Sequence, residues 1–197
     1  MASLVLCSGG VKSALLVCLA RREEEVLDNL HVLFVDHGQA CVEGERQSAH
    51  RIADYYHGRY HELAVLQRTK GEWKPFVLSA ILMHALIYAK EHGIRYTYYG
   101  ACKSHEGREW QLPALKRIQN LADFVQQEWD PSLRADFIQV GAPLIALTRK
   151  KIYLYAKKMG VPLDLTWSCE VSNTLTQCGH CPSCEFRKEM RYYDIVH

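Results

Sequence analysis

No run of apolar residues in this 197-residue chain reaches the length that a membrane-spanning helix requires, so no helical bilayer span is expected. The start of the chain lacks a basic stretch followed by a small-residue cleavage site, which sets aside a secretory leader and gives a cytoplasmic location as the expectation. An excess of one charge is also missing. Lys and Arg number 24 against 22 Asp and Glu, for a net charge of +2 and a pI near 8.1, so the chain as a whole has little attraction for nucleic-acid phosphates. Repeats, low-complexity tracts and long linkers are absent as well, which leaves one domain with a sizeable core and a small appendage.

Cysteine is not scarce: there are eight. In a reducing compartment that number reads as metal ligands or small buried hydrophobes rather than disulfides. Cys169, Cys178, Cys181 and Cys184 have the spacing C-x8-C-x2-C-x2-C. Two residues between cysteines let a tight turn aim both thiolates at one ion, and four cysteines with no open position point to a structural tetrathiolate zinc. Gly179 and Pro182 inside the turns supply the free φ and the fixed φ that such a knuckle needs. His180 is an alternative ligand, and four reduced thiols, or disulfides in an exported chain, are the readings without a metal. Cys7 and Cys18 are expected in the core. Cys41 and Cys102 follow strand ends, where either core packing or a site role is open.

Apolar stretches of strand length alternate with longer stretches of helical period, the pattern of βαβ units and a parallel sheet. Strands are expected at Ser3 to Cys7, Leu30 to Val35, Gly58 to Leu63, Tyr96 to Gly100 and Phe137 to Val140. Helices are expected near Lys12 to Glu24, Val42 to Tyr56, Val77 to Glu91, Leu112 to Gln127 and Thr148 to Met159. Thr148 reads as an N-cap and Gly160 as the glycine after a helix. The basic residues Arg149, Lys150, Lys151, Lys157 and Lys158 fall at the spacing of a solvated helix face. The predicted fold is α/β, a doubly wound five-stranded parallel sheet, over residues 1–164, with a zinc knuckle over residues 165–197. Ligands of such sheets bind outside the carboxyl ends of the strands, where the winding reverses. The loops at 7–13, 36–41 and 101–110 should therefore share one rim.

The first of these loops, Ser8-Gly9-Gly10-Val11-Lys12-Ser13, joins a strand to a helix and offers backbone amides at a positive helix end, a cradle for phosphate. It has neither the Walker A spacing nor the G-x-G-x-x-G spacing. With the turn Asp36-His37-Gly38-Gln39 after the second strand, it resembles the PP-loop ATP pyrophosphatase superfamily, of HUP-like α/β fold. Within that superfamily the chain is similar to the 7-cyano-7-deazaguanine synthase family over nearly its whole length. The shared runs include Tyr99-Gly100-Ala101-Cys102, Ala142-Pro143-Leu144, Thr166-Trp167-Ser168-Cys169, and Cys178-Gly179-His180-Cys181-Pro182-Ser183-Cys184 with Arg187.

The resemblance implies an enzyme that uses ATP with magnesium to adenylate 7-carboxy-7-deazaguanine and then ammonia to make an amide and a nitrile. It also implies a structural zinc on the four cysteines and a homodimer. ATP would lie over Cys7, Ser8, Gly9, Gly10, Val11, Lys12, Ser13, Asp36 and Gly38. The deazaguanine would meet Cys102, Glu106, Glu109 and Trp110, while Lys12, Lys103 and Glu106 would act on the reacting groups.

Three departures from the family pattern fall in the loops that carry chemistry. Lys12 stands where the family has an aspartate able to help hold magnesium, so that ATP is either bound differently or not used. Lys74-Pro75-Phe76-Val77-Leu78 replaces a Pro-Gly-Arg-Asn run. The loop after the fourth strand, Lys103 to Trp110, replaces an aspartate-bearing run. There Glu106 or Glu109 would accept hydrogen bonds from a guanine-like base and Trp110 would stack on it, unless the loop is merely a solvated charged one.

These residues admit three functions: a deazaguanine synthase, a diverged paralogue that passes the activated acid to an amine of a partner protein, and a catalytically inactive homologue kept for binding or scaffolding. Arg187, Lys188 and Arg191 after the last cysteine suit a zinc-ribbon nucleic-acid binder, which the weak net charge and the α/β body disfavour.

Overall fold

The computed structural model describes residues 2–23, 29–64, 74–103, 116–117, 119–120, 123, 138–172 and 174–196, with backbone alone for 74–76 and 192–196. Five parallel strands make one sheet in the order β3-β2-β1-β4-β5. These are β1 (Ser3–Leu6), β2 (Leu30–Asp36), β3 (Arg59–Ala64), β4 (Tyr96–Tyr98) and β5 (Gln139–Gly141). The helices are α1 (Val11–Glu23), α2 (Val42–Tyr55), α3 (Lys74–Glu91), α4 (Arg149–Lys158) and α5 (Pro182–Val196). A 3-10 turn spans Leu163–Leu165. The doubly wound parallel architecture is the expected one. Of the expected Leu112 to Gln127 helix, the described residues 116, 117, 119, 120 and 123 are helical.

Strand parity builds the two cores. Val5, Val32 and Phe34 face α1, α2 and α4, packing with Leu15, Leu16, Ile52 and Ile152. Leu4, Leu6, Leu33 and Val35 face the other way onto Leu82, Ala85 and Ala89 of α3 and onto Ile94 and Ile138. Both faces of β1 and β2 are thus buried, which is why their sequences run apolar without alternation. All four cysteines outside the knuckle are buried, Cys102 least so at 8% exposure.

Helix ends follow local chemistry. Thr148 caps α4, its hydroxyl accepting from the Lys151 N–H at 3.3 Å, and Gly160, at φ +74°, turns the chain out of it. The helix α5 was not anticipated. It has proline in its first turn and buries Ser183, Cys184, Arg187 and Met190 at helical spacing, a signal that the adjacent cysteine pattern obscures.

Between the α3 face of the sheet and the end of α3 lies a cluster of imidazoles. His31 stacks on His61 with ring centroids 5.3 Å apart, His92 stacks on Tyr88 at 4.0 Å, and the His31 Nδ1 meets the Tyr88 hydroxyl at 3.0 Å. Burial, reinforced by His61, Arg59 and His92, pushes the His31 pKa down to about 4; burial, with His92 and Arg59, lowers that of His61. The folded state therefore holds these rings neutral while the unfolded chain protonates them near its ordinary value. The stability contributed at His31 is complete above about pH 6.5 and is lost as pH falls toward about 4, with an upper bound of about 3 kcal/mol, and His61 acts in the same direction. Melting temperatures measured across that range should fall less steeply for His31→Gln than for the wild type. Parallel curves would refute the assignment.

Candidate nucleotide site and metal centre

The winding reverses between β1 and β4, so the loops that leave these strands face one crevice. After β1, Gly9 turns the chain at φ +74° into α1. A Cβ there would lie 2.6 Å from the Glu45 carbonyl oxygen and 2.8 Å from the Ser48 Cβ, so only glycine lets the loop press against α2. Gly10 has room for a Cβ by contrast, which would make only ordinary contacts with the Trp167 carbonyl oxygen at 3.7 Å and the Ser8 Oγ at 3.8 Å. The amides that open α1 have no intrahelical acceptors, and the helix dipole makes this end positive.

The loop is held from behind. The Gly9 carbonyl accepts the Trp167 N–H at 2.8 Å and the Ser48 hydroxyl at 2.9 Å, and Ser48 also meets the Leu165 carbonyl. The Trp167 ring lies on Gly44, where a Cβ would fall 2.4 Å from the indole. A cleft of about 350 Å³ lined by Gly44, Gln47, Ser48, Arg51, Thr166 and Trp167, among others, lies behind this contact. None of residues 8–13 lines it.

The expected site residues separate into three groups. Ser8 is exposed, and Gly10, Val11 and Lys12 are half-buried at the crevice. Cys7 and Ser13 are buried beneath them. The Ser13 hydroxyl donates to the Gly10 carbonyl at 3.0 Å, and burial raises the pKa of the Cys7 thiol, so these two support the loop from below. Lys12 reaches across to β4's exit, its Nζ 3.7 Å from the Cys102 Sγ, which brings the loops after β1 and β4 together. Lys103 is exposed and pairs with Thr148, its N–H donating to the Leu147 carbonyl at 2.9 Å. Glu106, Glu109 and Trp110 lie outside the described residues, as does the side chain of Lys74.

Asp36 is engaged within the fold. One carboxylate oxygen accepts the Gly38 N–H and the other the Arg46 guanidinium, both at 2.9 Å. Arg46 also bonds Glu43 and Glu62. Gln39 donates to Glu45 at 2.8 Å, and burial raises the pKa of that carboxyl.

The four cysteines of the knuckle converge. Their Sγ atoms all lie within 4.8 Å of one another, and they are the one such group among the described residues. A tetrahedral tetrathiolate with bonds of about 2.3 Å separates its sulfurs by about 3.8 Å, so the cluster fits a metal ion after a small contraction. Backbone N–H groups of Ser172 and Cys178 point at the Cys169 sulfur, at 3.3 and 3.5 Å, and that of Cys181 points at Cys178 at 3.4 Å. Burial opposes ionisation of Cys169, but these donors outweigh it and bring the thiol down to about 6, while burial and its sulfur neighbours push Cys184 up to about 12. Four sulfurs so close cannot all ionise without a cation to share their charge. His180 is exposed and turned to the Cys178 carbonyl, 2.9 Å from its Nδ1, outside the cluster.

Arg187 is buried and ties α5 to the chain ahead of the knuckle. It donates to the Ser168 hydroxyl at 2.7 Å, to the Leu163 carbonyl at 3.0 Å, and to the Thr166 carbonyl and hydroxyl. Sequence reading missed the roles of Ser48, Gly44 and Trp167. A glycine inside an otherwise helical stretch was the available signal for a close approach at Gly44.

The sequence model described as "Queuosine biosynthesis protein QueC" matches residues 62–192, well over half of the chain. The chain belongs to the QueC family. A 7-cyano-7-deazaguanine synthase of Koribacter versatilis is 29% identical over 94% of this chain and 86% of its own length. One from Methanothrix thermoacetophila is 25% identical over 93% and 90%. Among solved structures, NMN synthetase from Francisella tularensis superposes with a TM-score of 0.54 at 12% identity, covering 98% of this chain and 76% of that one. The U34-tRNA thiolase NcsA from Methanococcus maripaludis gives 0.53 at 12% identity, covering 98% and 65%. These two likenesses concern the fold. The QueC family membership supports an enzyme of queuosine-type chemistry.

Proposed function

We propose that the protein adenylates the carboxylate of a 7-deazaguanine acid with ATP and delivers the activated acyl group to ammonia or another amine. The observation that carries this reading is the glycine turn at Gly9 and Gly10, set at the positive end of α1 where the sheet reverses, in a chain of the QueC family. In the first step a substrate carboxylate oxygen bonds to the α-phosphorus and pyrophosphate leaves. In the second the amine nitrogen bonds to the acyl carbon and AMP leaves with the electron pair of the broken C–O bond. The α1 amides stabilise charge on the phosphates, and the loops after β1 and β4 hold the reactants together. Magnesium arrives with ATP as part of the substrate. Lys12 supplies a positive charge to the first loop, and its contact with Cys102 aims that charge at the crevice. Glu106, Glu109 and Trp110 are proposed for the base, Lys103 and Glu106 for the reacting groups, and Asp36 and Gly38 for the nucleoside. The knuckle, over residues 165–197, binds zinc as a structural ion.

Pyrophosphate release should require ATP, magnesium and the carboxylated deazaguanine, with ammonium completing turnover. Lys12→Asp should lower that rate at least tenfold; a rise would show that lysine impairs the site. Release only in the presence of a partner protein that gains mass would assign conjugation. Absence of both ATP binding and release would leave a non-catalytic homologue.

A further inference from the structure

One residue, Trp167, bonds both the knuckle and the loop at 8–13. Trp167 donates its backbone N–H to the Gly9 carbonyl at 2.8 Å and its indole N–H to the carbonyl of Cys169, a knuckle cysteine, also at 2.8 Å. The indole is fixed against Gly44 of α2, and Ser48, one turn later in the same helix, places its hydroxyl between the Gly9 and Leu165 carbonyls, with one proton to donate between them. Arg187, three residues after Cys184, grips Leu163, Thr166 and Ser168 on either side of Trp167. The stretch 163–169 is therefore bonded at one end to the cysteine cluster and at the other to the turn proposed to receive the phosphates.

We propose that Trp167 is a positioning residue that couples metal occupancy of the cysteine cluster to nucleotide affinity of the loop at 8–13. The physical basis is that Gly9 has little freedom of its own. Its carbonyl orientation sets the direction of the amides that follow it, and two of the bonds fixing that carbonyl come from Trp167 and Ser48. A metal that orders Cys169 orders the Trp167 ring through the indole bond, and the ring orders Gly9 through the adjacent peptide. Coupling of this kind is reciprocal: the factor by which the metal raises ATP affinity is the factor by which ATP raises metal affinity. The cleft beside Trp167 gives the indole a place to move when the tie is broken.

This inference rests on the reading of residues 8–13 as the ATP site, and the experiment separates the two. Zinc-loaded protein is brought to equilibrium with a chromophoric zinc chelator, with and without ATP, and ATP affinity is measured in parallel by calorimetry. ATP should increase zinc retention by about tenfold, within the roughly 5- to 150-fold usual for coupled sites. Trp167→Phe, which keeps an aromatic six-membered ring and deletes the indole donor, should reduce the effect of ATP on zinc to less than twofold. Gly44→Ala, whose new methyl must displace the indole, should do the same without touching either site and should weaken ATP binding about tenfold. Circular dichroism checks that both variants are folded, and the part of the fluorescence of the four tryptophans that Trp167→Phe removes reports the environment of Trp167. If ATP binds the wild type but zinc retention is unchanged by it, or if both variants retain the full effect, the coupling is wrong and the ATP site stands. If ATP does not bind the zinc-loaded wild type at all, the site assignment falls and the coupling falls with it.

Discussion

Replacing one of the knuckle cysteines, as in Cys181→Ser, or stripping the metal with a chelator, should unfold the segment that follows Leu165 and cost more stability than any other single change to the chain. Structural zinc in small cysteine sites carries on the order of 10 kcal/mol of apparent binding free energy, which is folding free energy when the site does not exist in the unfolded chain. Here the cluster has little else behind it. Its local hydrophobic contacts are three buried cysteines packed with Trp167 and Cys178, and α5 adds the buried side chains of Arg187 and Met190. Without the ion, the lowered pKa values of Cys169 and Cys181 and the raised value of Cys184 describe sulfurs that repel one another once ionised. The loss should extend past the knuckle, because Trp167 and Leu165 also bond the Gly9 turn and Ser48. Far-UV circular dichroism with parallel zinc quantification gives the result directly. One equivalent of zinc should leave as helix signal disappears, and acid should do the same as protons displace metal from the thiolates. Unchanged spectra and melting after complete zinc removal would overturn the structural role.

Gly9→Ala should give the second largest effect. The added methyl would sit 2.6 Å from a helix carbonyl that cannot swing aside, in a residue already at φ +74°. Left-handed backbone costs an L-residue about 1–2 kcal/mol and overpacking against backbone about 1–3 kcal/mol more, so a loss of about 2–5 kcal/mol is expected. Gly10→Ala, one residue on and with only ordinary van der Waals contacts to meet, should cost under about 1 kcal/mol. Urea denaturation of the pair measures the difference. Calorimetry should show ATP binding weakened by Gly9→Ala well beyond what its fraction unfolded explains. Equal stabilities for the two variants would mean that the loop does not bear on α2 as described.

The sheet was legible because its signals are local. Five apolar runs separated by helical stretches fix a parallel α/β architecture, and the parity of β1 and β2 sends alternate residues into two cores. Thr148 and Gly160 marked the ends of α4 for the same reason, since caps are satisfied by neighbours in sequence. The cysteine spacing gave the cluster, as short intervals constrain where sulfurs can go. Less legible was α5, whose helical spacing of Cys184, Arg187 and Met190 overlaps the metal pattern that dominates the same residues.

By itself, then, the sequence determined the layers of the fold, the glycine turn after the first strand and the convergence of four sulfurs, all set by spacing and backbone preference within short stretches. Only the tertiary structure decided that Asp36 is held by Arg46, that Ser13 turns its hydroxyl inward, that Lys12 meets Cys102, and that Trp167 returns from the knuckle to Gly9. Three of these four contacts join groups ten or more residues apart in the chain. Their geometry follows from how helices pack on the sheet, and no local preference encodes it; the Ser13 bond is short-range, but its burial under the loop is set by the same packing.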